Sequence, residues 1–161
     1  MPLFNAGLPA RPGSRLVGAL AAALVLAACA HRSANVPTLY ERLGGEQNVA
    51  QFVDRLVDRT TTDPRTARSF DGIRPKALKE SIAQQICALA GGGCVYEGET
   101  MARVHADHHI RASEFDALVA MLREELDRAG VDDGAKNDLL KLLAPMKRDI
   151  VQPPKSLAQS S

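Results

Sequence analysis

The stretch "TMARVHADHHIRASEF", Thr100 to Phe115, holds three of the chain's four histidines: His105, His108 and His109. Its first part reads as a short helix, about 100–105. Ser113-Glu114-Phe115-Asp116 has the spacing of a capping box and opens a long helix to about Ala129. Phe115, Leu118, Val119, Leu122 and Leu126 recur along that helix at intervals that turn them inward. On a continuous helix His105, His108 and His109 stand at i, i+3 and i+4, on one face. That spacing permits a zinc or nickel site, but no second cluster of Cys or carboxylates completes one. A solvated His108–His109 pair at a helix end is the alternative, and spacing alone leaves both open.

Working back from this stretch, Gly91 to Glu99 is a loop, and Pro75 opens a helix over about 75–90 with the stripe Leu78, Ile82, Ile86 and Leu89. Gly72 breaks the chain before it. Asp63-Pro64 reads as an N-cap with a first-turn proline, starting a short piece that ends at Phe70. A helix over about 46–60 carries Val49, Phe52, Val53, Leu56 and Val57 on one side. Thr38-Leu39-Tyr40-Glu41 is a further capping-box pattern, on a short helix that Gly44-Gly45 stops. Forward of the histidines, Gly130 ends the long helix. Asp132 can cap a last helix to about 151, with Leu139, Leu142, Leu143, Met146 and Ile150 inward. No segment alternates as a strand does, and no repeat is visible. With aromatics at 4% and no Trp, the core rests on aliphatic side chains, and the fold class is all-α.

The ends read differently. Arg11 and Arg15 precede a 13-residue apolar run, Leu16 to Ala28, which suits a secretory signal core and is short for a membrane span. Leu26-Ala27-Ala28-Cys29 resembles a bacterial lipobox, so residues 1–28 are expected to be a lipoprotein signal peptide and Cys29 the lipidated first residue. An ordinary signal peptide cut at a small-residue site is the alternative. Residues 29–37 form a tether, 38–151 the domain and 152–161 a flexible tail. Cys87 and Cys94 then remain in an exported, oxidising setting, with Gly91-Gly92-Gly93 between them to turn the chain back. A disulfide there is worth about 2–3 kcal/mol by loop entropy, and two buried thiols are the alternative. Lys plus Arg number 20 against 19 Asp plus Glu, without a basic patch, which argues against a nucleic-acid partner.

Three blocks in order resemble the truncated haemoglobins of group 1: "TLYERLGG" (38–45), "GGGCVYEG" (91–98) and "MARVHADHHIRASEFD" (101–116). "SFDG" (69–72) is similar to the family's corner phenylalanine with a glycine two residues on. The resemblance spans 38 to about 151 and implies a two-over-two helical globin holding haem b. It implies His105 as the proximal iron ligand, with His108 and His109 as bystanders near the pocket mouth. It sets Met101 beneath the porphyrin, Phe70 against it and Phe115 at its proximal edge, and Lys79 where relatives pair a cation with a propionate. The family's distal tyrosine position falls on Val57 and its distal glutamine position on Ile82, with Leu78 as the neighbouring distal position; all three are apolar here.

A distal hydroxyl or amide decides between ligand binding and activation. Its loss implies weak holding of oxygen and faster autoxidation, with less effect on CO or NO. Gln85 is the remaining polar candidate, either reaching a ligand or satisfying a backbone group in the nearby turn. The expected function is an exported, lipid-anchored haem globin on the periplasmic or cell-surface side. It would bind oxygen, NO or CO and exchange electrons with an unidentified redox partner. Any NO dioxygenase or peroxidase turnover would depend on haem. The alternatives are a haem-free helical lipoprotein and a divalent-metal binder using His105, His108 and His109.

Overall fold

A computed structural model describes residues 36–151. The leader, most of the tether with Cys29, and the tail lie outside the described residues. The elements are α1 (Leu39–Arg42), α2 (Gly45–Thr62), a 3-10 turn (Ala67–Phe70) and α3 (Pro75–Leu89). They continue with α4 (Met101–His105), α5 (Ala112–Arg128), α6 (Asp133–Leu143), a second 3-10 turn (Ala144–Met146) and α7 (Lys147–Ile150). Among the described residues no strand forms; one isolated bridge pairs Ile110 with Val151.

Helix α2 is the centre of the core. Val49, Phe52, Val53, Leu56 and Val57 stand at i, i+3, i+4, i+7 and i+8 and are all buried. They meet Ile86 from α3, Met121, Leu122 and Leu126 from α5, and Ala135 and Leu139 from α6. Burying each large aliphatic or aromatic side chain contributes about 1.5–3 kcal/mol. The capping box predicted at Thr38 is present: Glu41 N donates to Thr38 Oγ1 at 3.2 Å and Thr38 N to Glu41 Oε2 at 2.7 Å. Gly44 and Gly45, with φ of +90° and +67°, stop α1 as expected, and Gly45 also begins α2.

Where α2 ends, Thr60, Thr61 and Thr62 turn their hydroxyls back onto carbonyls three or four residues earlier. Asp63 ends α2 and also opens the next piece as expected, its carbonyl accepting from Thr66 N and Ala67 N, although the helical part of that piece is only the 3-10 turn Ala67–Phe70. Its carboxylate accepts from Arg65 N at 2.9 Å and from the Arg65 guanidinium, and these bonds pull its pKa down to about 2.

Three further expectations are corrected. Helix α5 is capped at Arg111, two residues before the Ser113 box, and Arg111 N donates to Glu114 Oε2 at 2.8 Å. The single last helix is broken, because Pro145 has no N–H to bond and crowds the preceding turn. Leu89 and Leu142, placed on inward stripes, are 37% and 40% exposed, each near a helix end where the core no longer reaches. Cys87 and Cys94 are joined, with Cα atoms 5.6 Å apart.

Candidate functional site: an apolar cavity beside His105

A cavity of about 510 Å³ opens between α3, α4 and α5, of a size that takes a large planar ligand. Val57, Phe70, Leu78, Ile82, Met101, His105 and Phe115 all line it. Seven of the eight residues nominated for a cofactor are thus brought to one surface from α2, the first 3-10 turn, α3, α4 and α5. Lys79 is the exception and does not line the cavity. Its ammonium is held between Asp54 Oδ1 at 2.6 Å and Asp58 Oδ1 at 2.7 Å on α2, and these hydrogen bonds raise its pKa. These ion pairs link α3 to α2.

The loop from α3 to α4 sets the geometry. The disulfide ties it to α3, and Gln84 Nε2 donates to Val95 O at 2.9 Å. Gly92 lies so close beneath that an added Cβ would stand 2.6 Å from Cys87 Sγ and from the Tyr40 ring. Gly98 gives way in the same manner to the Tyr96 ring, and Tyr96 reaches the cavity wall. Gln85 Nε2 then lies 3.7 Å from Met101 Sδ and 3.8 Å from Met146 Sδ. Gln85 also lines the cavity. The amide ties α3 to the start of α4 through the Met101 thioether and to the second 3-10 turn through that of Met146, both weak acceptors.

Helix α4 is one turn and a quarter. Thr100 Oγ1 caps it, accepting from Arg103 N at 3.3 Å. His105 Nδ1 stands 2.7 Å from the Met101 carbonyl oxygen, one turn back. A carbonyl can only accept, so Nδ1 carries the proton, and in the neutral ring Nε2 carries the lone pair. This is how proteins orient a histidine that ligates a metal. Because α4 ends at His105, the shared helix face expected for three histidines does not exist. His108 lies in the following turn with its ring 6.4 Å from that of His105, edge to face, and also lines the cavity. His109 is left-handed at φ +49°. Among the described residues no group of three or more His, Cys, Asp or Glu is arranged to hold a metal ion, so a bare-metal centre lacks a ligand set.

Arg68, absent from the sequence reading, and Glu114, read there only within a capping-box pattern, pair beside the cavity. Arg68 Nε and Nη2 donate to Glu114 at 2.9 and 2.7 Å, and Arg68 Nη2 also donates to the His109 carbonyl at 3.1 Å. Burial alone would raise the Glu114 carboxyl, but the Arg111 N–H and the Arg68 guanidinium outweigh it and hold the pKa below its ordinary value. Ser69 Oγ adds to this from nearby, short of a well-formed hydrogen bond. The signal was an acid on the inward stripe of α5: Glu114 and Glu125 keep phase with Leu118, Met121 and Leu122. Glu125 is fully buried and paired with Arg55, Arg59 and Arg128.

The residues fit a haem. One histidine is set to ligate through Nε2, the walls are aliphatic and aromatic, and the volume is sufficient. Comparison with known proteins points the same way. Residues 38–152 match the family model of the bacterial-like globins. A group 1 truncated haemoglobin of Mycolicibacterium paratuberculosis is 27% identical over 119 residues, covering 74% of this chain and 88% of that protein. One from Nostoc commune is 28% identical over 114 residues, covering 71% and 97%. The crystal structure of truncated haemoglobin from Tetrahymena pyriformis in its Fe(III) form superposes with a TM-score of 0.69 at 25% identity. It covers 73% of this chain and 100% of that one.

Proposed function

The chain belongs to the bacterial-like globin family, and on that premise we propose that it holds haem b with His105 as axial ligand and binds a diatomic gas. The observation that carries this is the His105 ring, oriented by the Met101 carbonyl at 2.7 Å on the wall of an apolar cavity. Haem iron on a neutral imidazole supplies reversible diatomic-ligand binding and one-electron exchange. The chain's own residues do the rest. Met101, Phe70 and Phe115 would pack against the bound cofactor. Val57, Leu78 and Ile82 would present aliphatic carbon to it and to the gas, and would exclude water. No distal hydroxyl or amide comes from these three, so a polar, charge-accepting ligand such as oxygen gains less here than CO or NO.

The proposal also includes export and lipid anchoring, which rest on the sequence and not on the cavity. The Leu16–Ala28 run followed by Cys29 suits a lipid-anchored form facing the periplasm or cell surface. Among the described residues no helix is long and apolar enough to cross a membrane. A redox partner would then dock from the same compartment, and any turnover of NO or peroxide would run through haem. Anchoring is tested by mass spectrometry of the mature protein: a lipid on Cys29, absent in Cys29→Ser, is expected.

The haem reading is tested by titrating the purified protein with hemin beside His105→Ala. A sharp Soret band that saturates at one equivalent and is lost in H105A is expected. A featureless spectrum in both would leave a haem-free helical lipoprotein.

A further inference from the structure

We propose that Arg68 and Glu114 are positioning residues for the proximal ligand: together they fix the turn that follows His105 and join it to the corner that carries Phe70. The inference rests on the haem reading above. Glu114 is the one acid that lines the cavity nearly buried, at 7% exposure, in a wall otherwise made largely of carbon. A carboxylate in that setting persists only when its oxygens are satisfied. Three donors do so: Arg68 Nε, Arg68 Nη2 and the Arg111 N–H.

These donors come from two different parts of the site. Arg68 lies in the 3-10 turn two residues before Phe70. Arg111 N is the first orphan donor of α5, whose next residues include Phe115. The same Arg68 Nη2 also holds the carbonyl of His109, a residue in the left-handed region that costs energy for any side chain but glycine. Between His105 and His109 the chain makes one turn, closed by His108 N donating to His105 O at 3.1 Å. Fixing His109 therefore fixes where α4 stops and how the His105 ring is presented. Local sequence does not supply this hold, since α4 is too short to be stable alone.

The test uses the hemin-loaded protein as wild type, Glu114→Gln and Arg68→Ala. Two quantities are read: transfer of haem to an excess of a haem-free acceptor, and the iron–histidine stretching band of the ferrous form by resonance Raman. Loss of supporting contacts to a metal-ligating histidine weakens metal holding about 10- to 100-fold. Haem transfer faster by that factor, with a shifted or broadened iron–histidine band, is expected in both variants. R68A decides the matter if E114Q does not fold, because the Arg68 side chain is 47% exposed and its removal opens no core. Variants that melt earlier but keep the wild-type band would overturn the inference, leaving the pair a fold element only. So would a wild-type transfer rate in both. A wild type with no Soret band would instead refute the haem reading itself.

Discussion

Returning a hydroxyl to the distal side by Val57→Tyr should convert the cavity into a slow oxygen releaser. Val57 is 1% exposed, on the core side of α2, and lines the cavity. A tyrosine there extends into a space of about 510 Å³ that the cofactor shares. A phenol donating to a ligand that carries partial negative charge is worth about 1.5–3 kcal/mol. At about 1.4 kcal/mol per factor of ten, oxygen dissociation should slow by roughly 10- to 150-fold. CO accepts hydrogen bonds poorly, and its dissociation should change by less than about threefold on the same scale. Val57→Phe is the control, since it adds the ring without the hydroxyl and carries the same crowding, about 1–3 kcal/mol of stability. The assay is stopped-flow displacement of each gas from the ferrous protein, with autoxidation followed in the same samples. Equal factors for oxygen and CO, or equal oxygen rates in V57Y and V57F, would show that the distal side does not face the ligand as reasoned.

Cys87→Ser with Cys94→Ser should cost about 2–3 kcal/mol of stability by loop entropy and speed haem loss, read by melting and by haem transfer. The wild type should match that double variant once a dithiol is added, and equal haem loss with and without reductant would remove the role in the pocket. Gly92→Ala should cost about 1–3 kcal/mol, because the new methyl meets Cys87 Sγ and the Tyr40 ring at 2.6 Å and neither can retreat. Asp63 predicts an acid limb. Its folded pKa of about 2 lies below its ordinary value, so its stabilising share is present above about pH 4 and disappears as pH falls toward 2. Asp63→Asn should flatten the melting temperature over that interval and leave it unchanged in slope above it.

How much of this was legible follows from the range of each interaction. Helix α2 was legible because its apolar spacing and its bounding glycines are local, and its observed ends differ from the reading by one residue at the start and two at the end. The break at Pro145 stood in the sequence, but the apolar phase of Leu139, Leu143, Met146 and Ile150 runs on across it. That phase suggested one helix where the missing N–H makes two pieces. The α5 cap was misplaced for a different reason. An acid stands three residues after either candidate cap, Asp116 after Ser113 and Glu114 after Arg111, and only the backbone chooses Arg111. The histidine cluster failed as a helix face because its helical continuation was assumed, while α4 stops at its first member.

The site residues divide along the same line. Those nominated by the block around His105 reach one cavity because the family's blocks preserve their order and spacing. The pairing of Lys79 with Asp54 and Asp58, carboxylates on a helix more than twenty residues earlier, is announced by no local pattern. The pairing of Arg68 with Glu114 was not read either, the two lying 46 positions apart in sequence and 2.7 Å apart in space. These pairings have one physical consequence. Arg68, Glu114 and the turn after His105 form one charged corner of the cavity, Val57, Leu78 and Ile82 give it an aliphatic wall, and Gln85 and Tyr96 also line it. On the proposed haem reading, the corner would act on how firmly the cofactor's ligand is held. The aliphatic wall would then act on gas preference. A globin so divided should vary in haem retention when its corner is altered, and in gas preference only when its aliphatic wall is.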